Sequence, residues 1–343
     1  MIEVEEGTNP AEQVVRIDSG WMQVELLALG AAIRSVRVPS ASDGPGPVHL
    51  HLPSVADHSD ANRNPHLGAS VGRYANRIAG AAFPLDGRTV ELVANSGPNQ
   101  LHGGPDGFDR RVWDLLDTDG ADNGGAALFR LVSPDGDQGF PGALTAQALY
   151  EVSGDELSIT YTATCDAPTV VNLTNHGYWN LDGAATGDPE AGTVADHLLE
   201  IAADRYVPVG SDGIPTGGLV DVSGTPFDLR RPRELGPTME AVGGGLDHCF
   251  EVRGEPGTVR HAATLVAPGS GRWMSVSTDQ VGVQAYTGNG LRPPFVPHGS
   301  VSLETQAFPD TPNRPDLGDV RLDPGHEYHS VTVLRFGIGV PEV

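Results

Sequence analysis

Histidine, asparagine, glutamine, arginine and glutamate gather in three polar segments of this chain, each with aromatic or glycine neighbours. The first runs from Gly68 to Ile78 through Asn76 and Arg77 and resumes, after a hairpin-like stretch, from Gly97 to Gly104 with Gln100 and His102. The second, Val171 to Leu181, holds Asn175, His176, Tyr178 and Trp179, and the third, Leu303 to Asp316, holds Glu304, Gln306 and Phe308. Donors and acceptors for hydroxyl groups beside flat apolar faces are what a neutral polyol site needs. Two other histidine groupings fit metal chemistry poorly. His49 and His51 share one face of a strand, but no nearby Cys or carboxylate completes a ligand set, and the span reads as a Pro/Gly-bounded surface segment. His326 and His329 would align on a helix yet fall on opposite faces of the strand expected there, so no metal is expected.

The elements that must position these segments read as strands. From Leu157 to Cys165 apolar and hydroxyl residues alternate strictly, and Leu144, Ala146, Ala148, Tyr150 and Val152 make one face of a neighbour. Val331 to Val333 reads as a closing strand. Turn clusters such as Ser133-Pro134-Asp135-Gly136-Asp137 and Pro268-Gly269-Ser270-Gly271 recur between them. With 45 Gly and 28 Pro, the chain favours many short strands over long helices, and only Arg233 to Val242 reads as a turn or two of helix. No internal repeat or strong boundary divides the 343 residues, which predicts one large antiparallel β-sandwich domain over 1–343.

Composition excludes much. All 21 basic residues are Arg, so mechanisms needing an internal lysine, such as a pyridoxal phosphate Schiff base or a P-loop, are ruled out. A formal net charge of −24 with no clustered positive charge argues against nucleic acid and anionic membranes as partners. Cys165 and Cys249 are far apart and read as small buried hydrophobes rather than a disulfide framework. An acidic N-terminus without a signal-peptide pattern, and no apolar run long enough to span a bilayer, lead to the expectation of a cytoplasmic protein.

At the three polar segments the sequence resembles the aldose 1-epimerases, or galactose mutarotases. The resemblance extends to Gly139-Phe140-Pro141-Gly142, Ile214-Pro215-Thr216-Gly217, Thr225-Pro226-Phe227-Asp228, Leu246-Asp247-His248-Cys249-Phe250 and Gly282-Val283-Gln284-Ala285-Tyr286, covering roughly residues 68 to 316 in order. It implies a large all-β sandwich, interconversion of the α and β anomers of a free aldohexose such as galactose or glucose, no cofactor, and a monomer or homodimer. Carried over by position, His176 looks like the general acid and Glu304 the general base. His102, Asn76, Arg77, Asp247, Gln284 and Tyr178 look like the sugar-binding shell.

The chemistry suits those types. Opening a cyclic hemiacetal needs a base on the anomeric hydroxyl and an acid on the ring oxygen. Ordinary pKa values of about 4.3 for Glu and about 6.5 for His leave one ionised while the other can hold a proton near neutrality. On those values the acid limb of a pH profile belongs to Glu304 and the alkaline limb to His176. Gly177, Trp179, Gln100, Cys249 and Ala285 depart from the family's usual residues without removing an acid, base or charged ligand. Three other readings compete: a non-catalytic sugar-binding module of the same fold; a hexose-6-phosphate 1-epimerase using Arg230, Arg231 and Arg233; and a glycosidase using Asp247 and Glu304.

Overall fold

The structure, a computed structural model, describes residues 1–42, 44–183 and 192–341. The alternating segments form the antiparallel strands Leu144–Ser153 and Glu156–Cys165, paired from Leu144 opposite Cys165 to Ser153 opposite Glu156. Leu144, Ala146, Ala148, Tyr150 and Val152 are buried with Leu157, Ile159, Tyr161 and Ala163, because a period-two pattern sends one face of each strand into the same core. The closing strand is longer than its three-residue signal: Tyr328–Ile338 lies between Glu156–Cys165 and Arg272–Thr278. Together with Asp114–Ala121, Gly124–Ser133, Arg260–Ala267, Leu198–Ile201 and Arg233–Glu234 these strands make a nine-stranded sheet.

Two five-stranded sheets complete the sandwich. One is built from Ile2–Glu5, Val14–Asp18, Gln23–Leu27, Ala32–Val38 and Gly46–Pro47. The other runs, in spatial order, Val220–Asp221, Ala203–Tyr206, Asp247–Val252, Gly282–Tyr286, Ser302–Gln306. One apolar cluster draws Val15, Val24 and Ile33 from the first, Phe129, Tyr150 and Ile159 from the nine-stranded sheet, and Phe250, Val283 and Leu303 from the last. The fold is therefore all-β, with sheets packed face to face around shared apolar surface. The expected helical stretch forms Leu235–Ala241, and among the described residues no helix is long and apolar enough to cross a membrane.

Two local expectations are corrected. His49 does not lie on a surface segment: it is fully buried, its ring edge-on to Trp179 at 5.1 Å, because its backbone bridges to Trp179. Cys165, at the end of its strand, is only half-buried, whereas Cys249 is fully buried, and both are free thiols. His326 sits outside the strand that carries His329, and His329 pairs with Asp279 at 3.3 Å.

The structure also joins two of the sequence departures into one. A Cβ at Gly177 would fall 2.8 Å from the Trp179 indole, so the small residue makes room for the large one. Gly177→Ser is therefore expected to overpack the site by about 1–3 kcal/mol. In a Trp179→Phe background the same change should cost clearly less, a coupling of at least about 0.5 kcal/mol. Denaturant unfolding of the four proteins measures it, and strict additivity would refute the steric link.

Candidate active site

Strand register builds the floor of the site. Cys249, Gln284 and Glu304 stand abreast on three neighbouring strands, as do Asp247, Tyr286 and Ser302. Alternation puts these six on one face, while Phe250, Val283, Ala285 and Leu303 face the core on the other. The apolar side fixes the register, since a one-residue slip would turn the polar set into the apolar core and the apolar set into the site. Gln284 donates to Asp247 Oδ1 at 2.6 Å, and Arg77 Nη2 lies 3.7 Å from Asp247 Oδ2. The expected sugar-binding residues Arg77, Asp247 and Gln284 are thus a connected polar array beside Glu304.

His176 and His102 arrive from loops tied to each other through the backbone. Thr174–Asn175 pairs with Ser70–Val71, and the pairing continues as His176 N–H donates to Ala69 O and Gly68 N–H to His176 O, both at 2.9 Å. Arg77–Ile78 pairs with Gln100–Leu101, which sets His102 beside Asn76. Both residues take left-handed backbone conformations, φ 64° at Asn76 and 52° at His102, and their backbones bond as His102 N–H donates to Asn76 O. Gly103 is obligatory here: its φ is +82°, and a Cβ would lie 1.9 Å from Gly72 O.

The His176–Glu304 pair is buried. His176 Nε2 lies 3.7 Å from Glu304 Oε1, with side-chain exposures of 5% and 3%. Burial pushes Glu304 up to about 8, with the negative charge of Asp247 adding to the rise and Arg77 opposing it. Burial likewise pulls His176 down to about 3, helped by neighbouring His66. The ordinary values behind the sequence expectation are therefore inverted. In the water-poor site the charged forms lose hydration, so the pair rests as a neutral carboxylic acid beside a neutral imidazole.

His102 is also held well below its ordinary value, chiefly by burial and then by His66 and His176. Its Nδ1 accepts the Asn76 backbone N–H at 3.1 Å, which places the ring proton of the neutral form on Nε2. That polarity decides a metal question. His102, His176 and Glu304 offer ligand atoms all within 4.8 Å of one another, a two-histidine, one-carboxylate set. Ligation through His102 Nε2 needs a lone pair there and a proton on Nδ1, where it would meet the Asn76 N–H. The ring is polarised to donate to an oxygen atom.

Three buried polar atoms of this group have no protein partner among the described residues: Arg77 Nε, Gln284 Oε1 and Glu304 Oε2. Buried polar groups are rarely left unpaired, so this donor and two acceptors mark where a polyhydroxylated ligand would bond. Tyr178 was expected among the sugar-binding residues. Its hydroxyl donates to Pro65 O at 2.8 Å, and its ring stacks on His176 at 4.7 Å and 15°. Sequence reasoning did not pick out Ser302, 3.4 Å from His176 Nδ1, or His66 and Asp109. His66 stands just ahead of the first polar segment, and Asp109 reaches it only through the turn Phe108–Arg110, so proximity in space was their sole signal.

Comparison with known proteins follows the same lines. The family model described as Aldose 1-epimerase matches residues 13–335. The galactose mutarotase of Bos taurus is 38% identical over 332 residues, covering 94% of this chain and 93% of the relative. The aldose 1-epimerase of Escherichia coli K12 is 39% identical over 334 residues, 93% of each. A crystal structure of galactose 1-epimerase from Lactobacillus acidophilus superposes with a TM-score of 0.84 at 26% identity, covering 99% of this chain and 100% of that one.

The resting state of Glu304 is directly measurable. A protonated-carboxyl infrared band is expected at neutral pH, disappearing with a midpoint near 8, and absent from Glu304→Gln. An ionised Glu304 band persisting down to the ordinary carboxylate range would contradict the burial argument.

Proposed function

This chain belongs to the aldose 1-epimerase family, and we propose that Glu304 and His176 are the base and acid with which it opens and recloses a sugar ring. The chain is an isomerase that interconverts the α and β anomers of aldohexoses such as galactose or glucose. The observation supporting the assignment is the buried pair itself, 3.7 Å apart and bordered by unpartnered polar atoms.

The protonation state fits the reaction. When sugar hydroxyls donate to Glu304, its ionised form gains hydrogen bonds and its proton can pass to His176 Nε2. The carboxylate then takes the proton from the anomeric hydroxyl while the imidazolium gives one to the ring oxygen. The bond between the anomeric carbon and the ring oxygen breaks, leaving an aldehyde and a free hydroxyl. Glu304 is again a carboxylic acid and His176 a neutral imidazole, the state that burial favours, so the site suits the open-chain species. Rotation about the bond from the anomeric carbon to its neighbour, followed by the reverse transfers, gives the other anomer. In this reading His102 Nε2–H donates to a sugar oxygen, with Asn76 fixing its tautomer. Asp247, Arg77 and Gln284 hold ring hydroxyls, and the Tyr178 ring supports His176.

A sugar phosphate finds less support. Arg230, Arg231 and Arg233 line a separate cavity of about 550 Å³ that includes none of the site residues, and Arg230 is paired with Asp228 and Asp204. A binding module would have no use for an acid and a base placed side by side. The partner proposed is a small neutral aldose, with no metal or cofactor taking part. A cytoplasmic location belongs to the same reading, supported by the two free cysteines.

Polarimetry of freshly dissolved α-D-galactose and α-D-glucose tests the activity: relaxation to the usual final rotation should accelerate. Glu304→Gln and His176→Asn should each lower kcat by roughly 10²–10⁴ while the protein stays folded, and near-normal turnover in either would remove its role. For the free enzyme, kcat/KM should fall as the pair loses its proton above about 8 and as it gains a second below about 3. An alkaline limb near 6.5 would restore the ordinary His assignment.

A further inference from the structure

The acid histidine is poorly fixed by hydrogen bonds. Among the described residues its Nδ1 hydrogen-bonds the Ser302 hydroxyl, at a long 3.4 Å, yet proton donation to a ring oxygen demands a well-aimed Nε2. Two rings stack on it instead, Tyr178 at 4.7 Å and 15° and His66 at 5.8 Å and 20°. Separations of this size are ordinary for interacting aromatic rings.

His66 is itself held from behind. Its Nδ1 meets Asp109 Oδ2 at 2.8 Å, and Asp109, almost fully buried, is held by Arg110 Nε at 2.9 Å. The residue adopts φ 66°, a strained backbone for a side chain of this size, and its carbonyl accepts Ala69 N–H at 3.1 Å. The Tyr178 hydroxyl bonds the carbonyl of Pro65, the residue before it. Both stacking partners are thereby tied to the same loop, and His66 also lies 5.0 Å from the His102 ring.

We propose that the Asp109–His66 pair is a positioning element of the reaction, clamping the imidazole of His176 against Tyr178 so that Nε2 stays aimed at the ring oxygen. The proposal rests on the epimerase reading for its catalytic consequence and on packing geometry for the clamp itself. Asp109 sets the height and tilt of the His66 ring, and Arg110 keeps the carboxylate anchored when His66 is replaced.

His66→Asn tolerates the left-handed backbone and removes the ring. It should lower kcat at least about tenfold, since a displacement near 1 Å can cost about 10²-fold, while KM changes by less than about threefold. His66→Phe restores a ring face but not the Asp109 contact that sets its height and tilt, so it should recover only part of the lost kcat. A raised KM with unchanged kcat would overturn the proposal by showing that His66 instead binds sugar. So would no change, or a Phe variant as slow as the Asn one. The Cε1–H NMR signal of His176, assigned by its loss in His176→Asn, supplies a readout independent of turnover. It should shift in His66→Asn and return towards its wild-type position in His66→Phe. If the wild-type protein fails to accelerate mutarotation, the functional reading falls while this signal still decides the clamp; an unmoved signal removes the clamp even in an active enzyme.

Discussion

A carboxyl group and an imidazole buried 3.7 Å apart cannot be charged without losing hydration that the protein interior replaces only in part. Glu304 and His176 meet that constraint by resting neutral, one proton between them on the carboxyl. Much of the surrounding architecture serves this condition. The floor strands Asp247–Val252, Gly282–Tyr286 and Ser302–Gln306 keep water from beneath by facing Phe250, Val283, Ala285 and Leu303 into the main core. Their upper face supplies Asp247, whose charge raises the carboxyl's proton affinity, and Gln284, which bonds Asp247, while Arg77 from the separate strand Arg77–Ile78 opposes the rise.

The loops above the floor are fixed by backbone pairing rather than by length of strand. Ser70–Val71 with Thr174–Asn175, and Arg77–Ile78 with Gln100–Leu101, are two-residue ladders, short enough that side chains at their ends project into the cleft. Asn76, His102 and His66 all take positive φ beside the Glu304–His176 pair. Such conformations cost of order 1–3 kcal/mol each and persist where packing over-determines them. Here the hydrogen bond from Asn76 N–H to His102 Nδ1 selects the tautomer of a second site histidine, linking backbone strain to the direction in which a ring donates.

Much of the site was legible in the residues. Glu304, His176, His102, Asn76 and Arg77 lie in the three polar segments, Asp247 and Gln284 were reached only through the family resemblance, and the fold draws all seven into one neighbourhood. Tyr178 was legible as a site residue but not as a support for His176, since its contact with Pro65 spans more than a hundred positions. The burial of His49 had no local signature either: it follows from a backbone bridge to Trp179.

By itself the sequence determined the class of fold, because period-two alternation and dense turn residues permit little but antiparallel strands. It also pointed to a neutral polyol as ligand, through His, Glu, Asn and Arg beside aromatic faces, while the acid–base reading came from the resemblance to the aldose 1-epimerases. Only the tertiary structure decided how burial acts on Glu304 and His176 and what packs against them. A pKa depends on solvent excluded by elements distant in sequence, and burial here moves Glu304 up and His176 down from their ordinary values. The stacking of His66 and Tyr178 on His176, anchored through Asp109, depends on three chain segments meeting, and no spacing along one strand encodes that meeting.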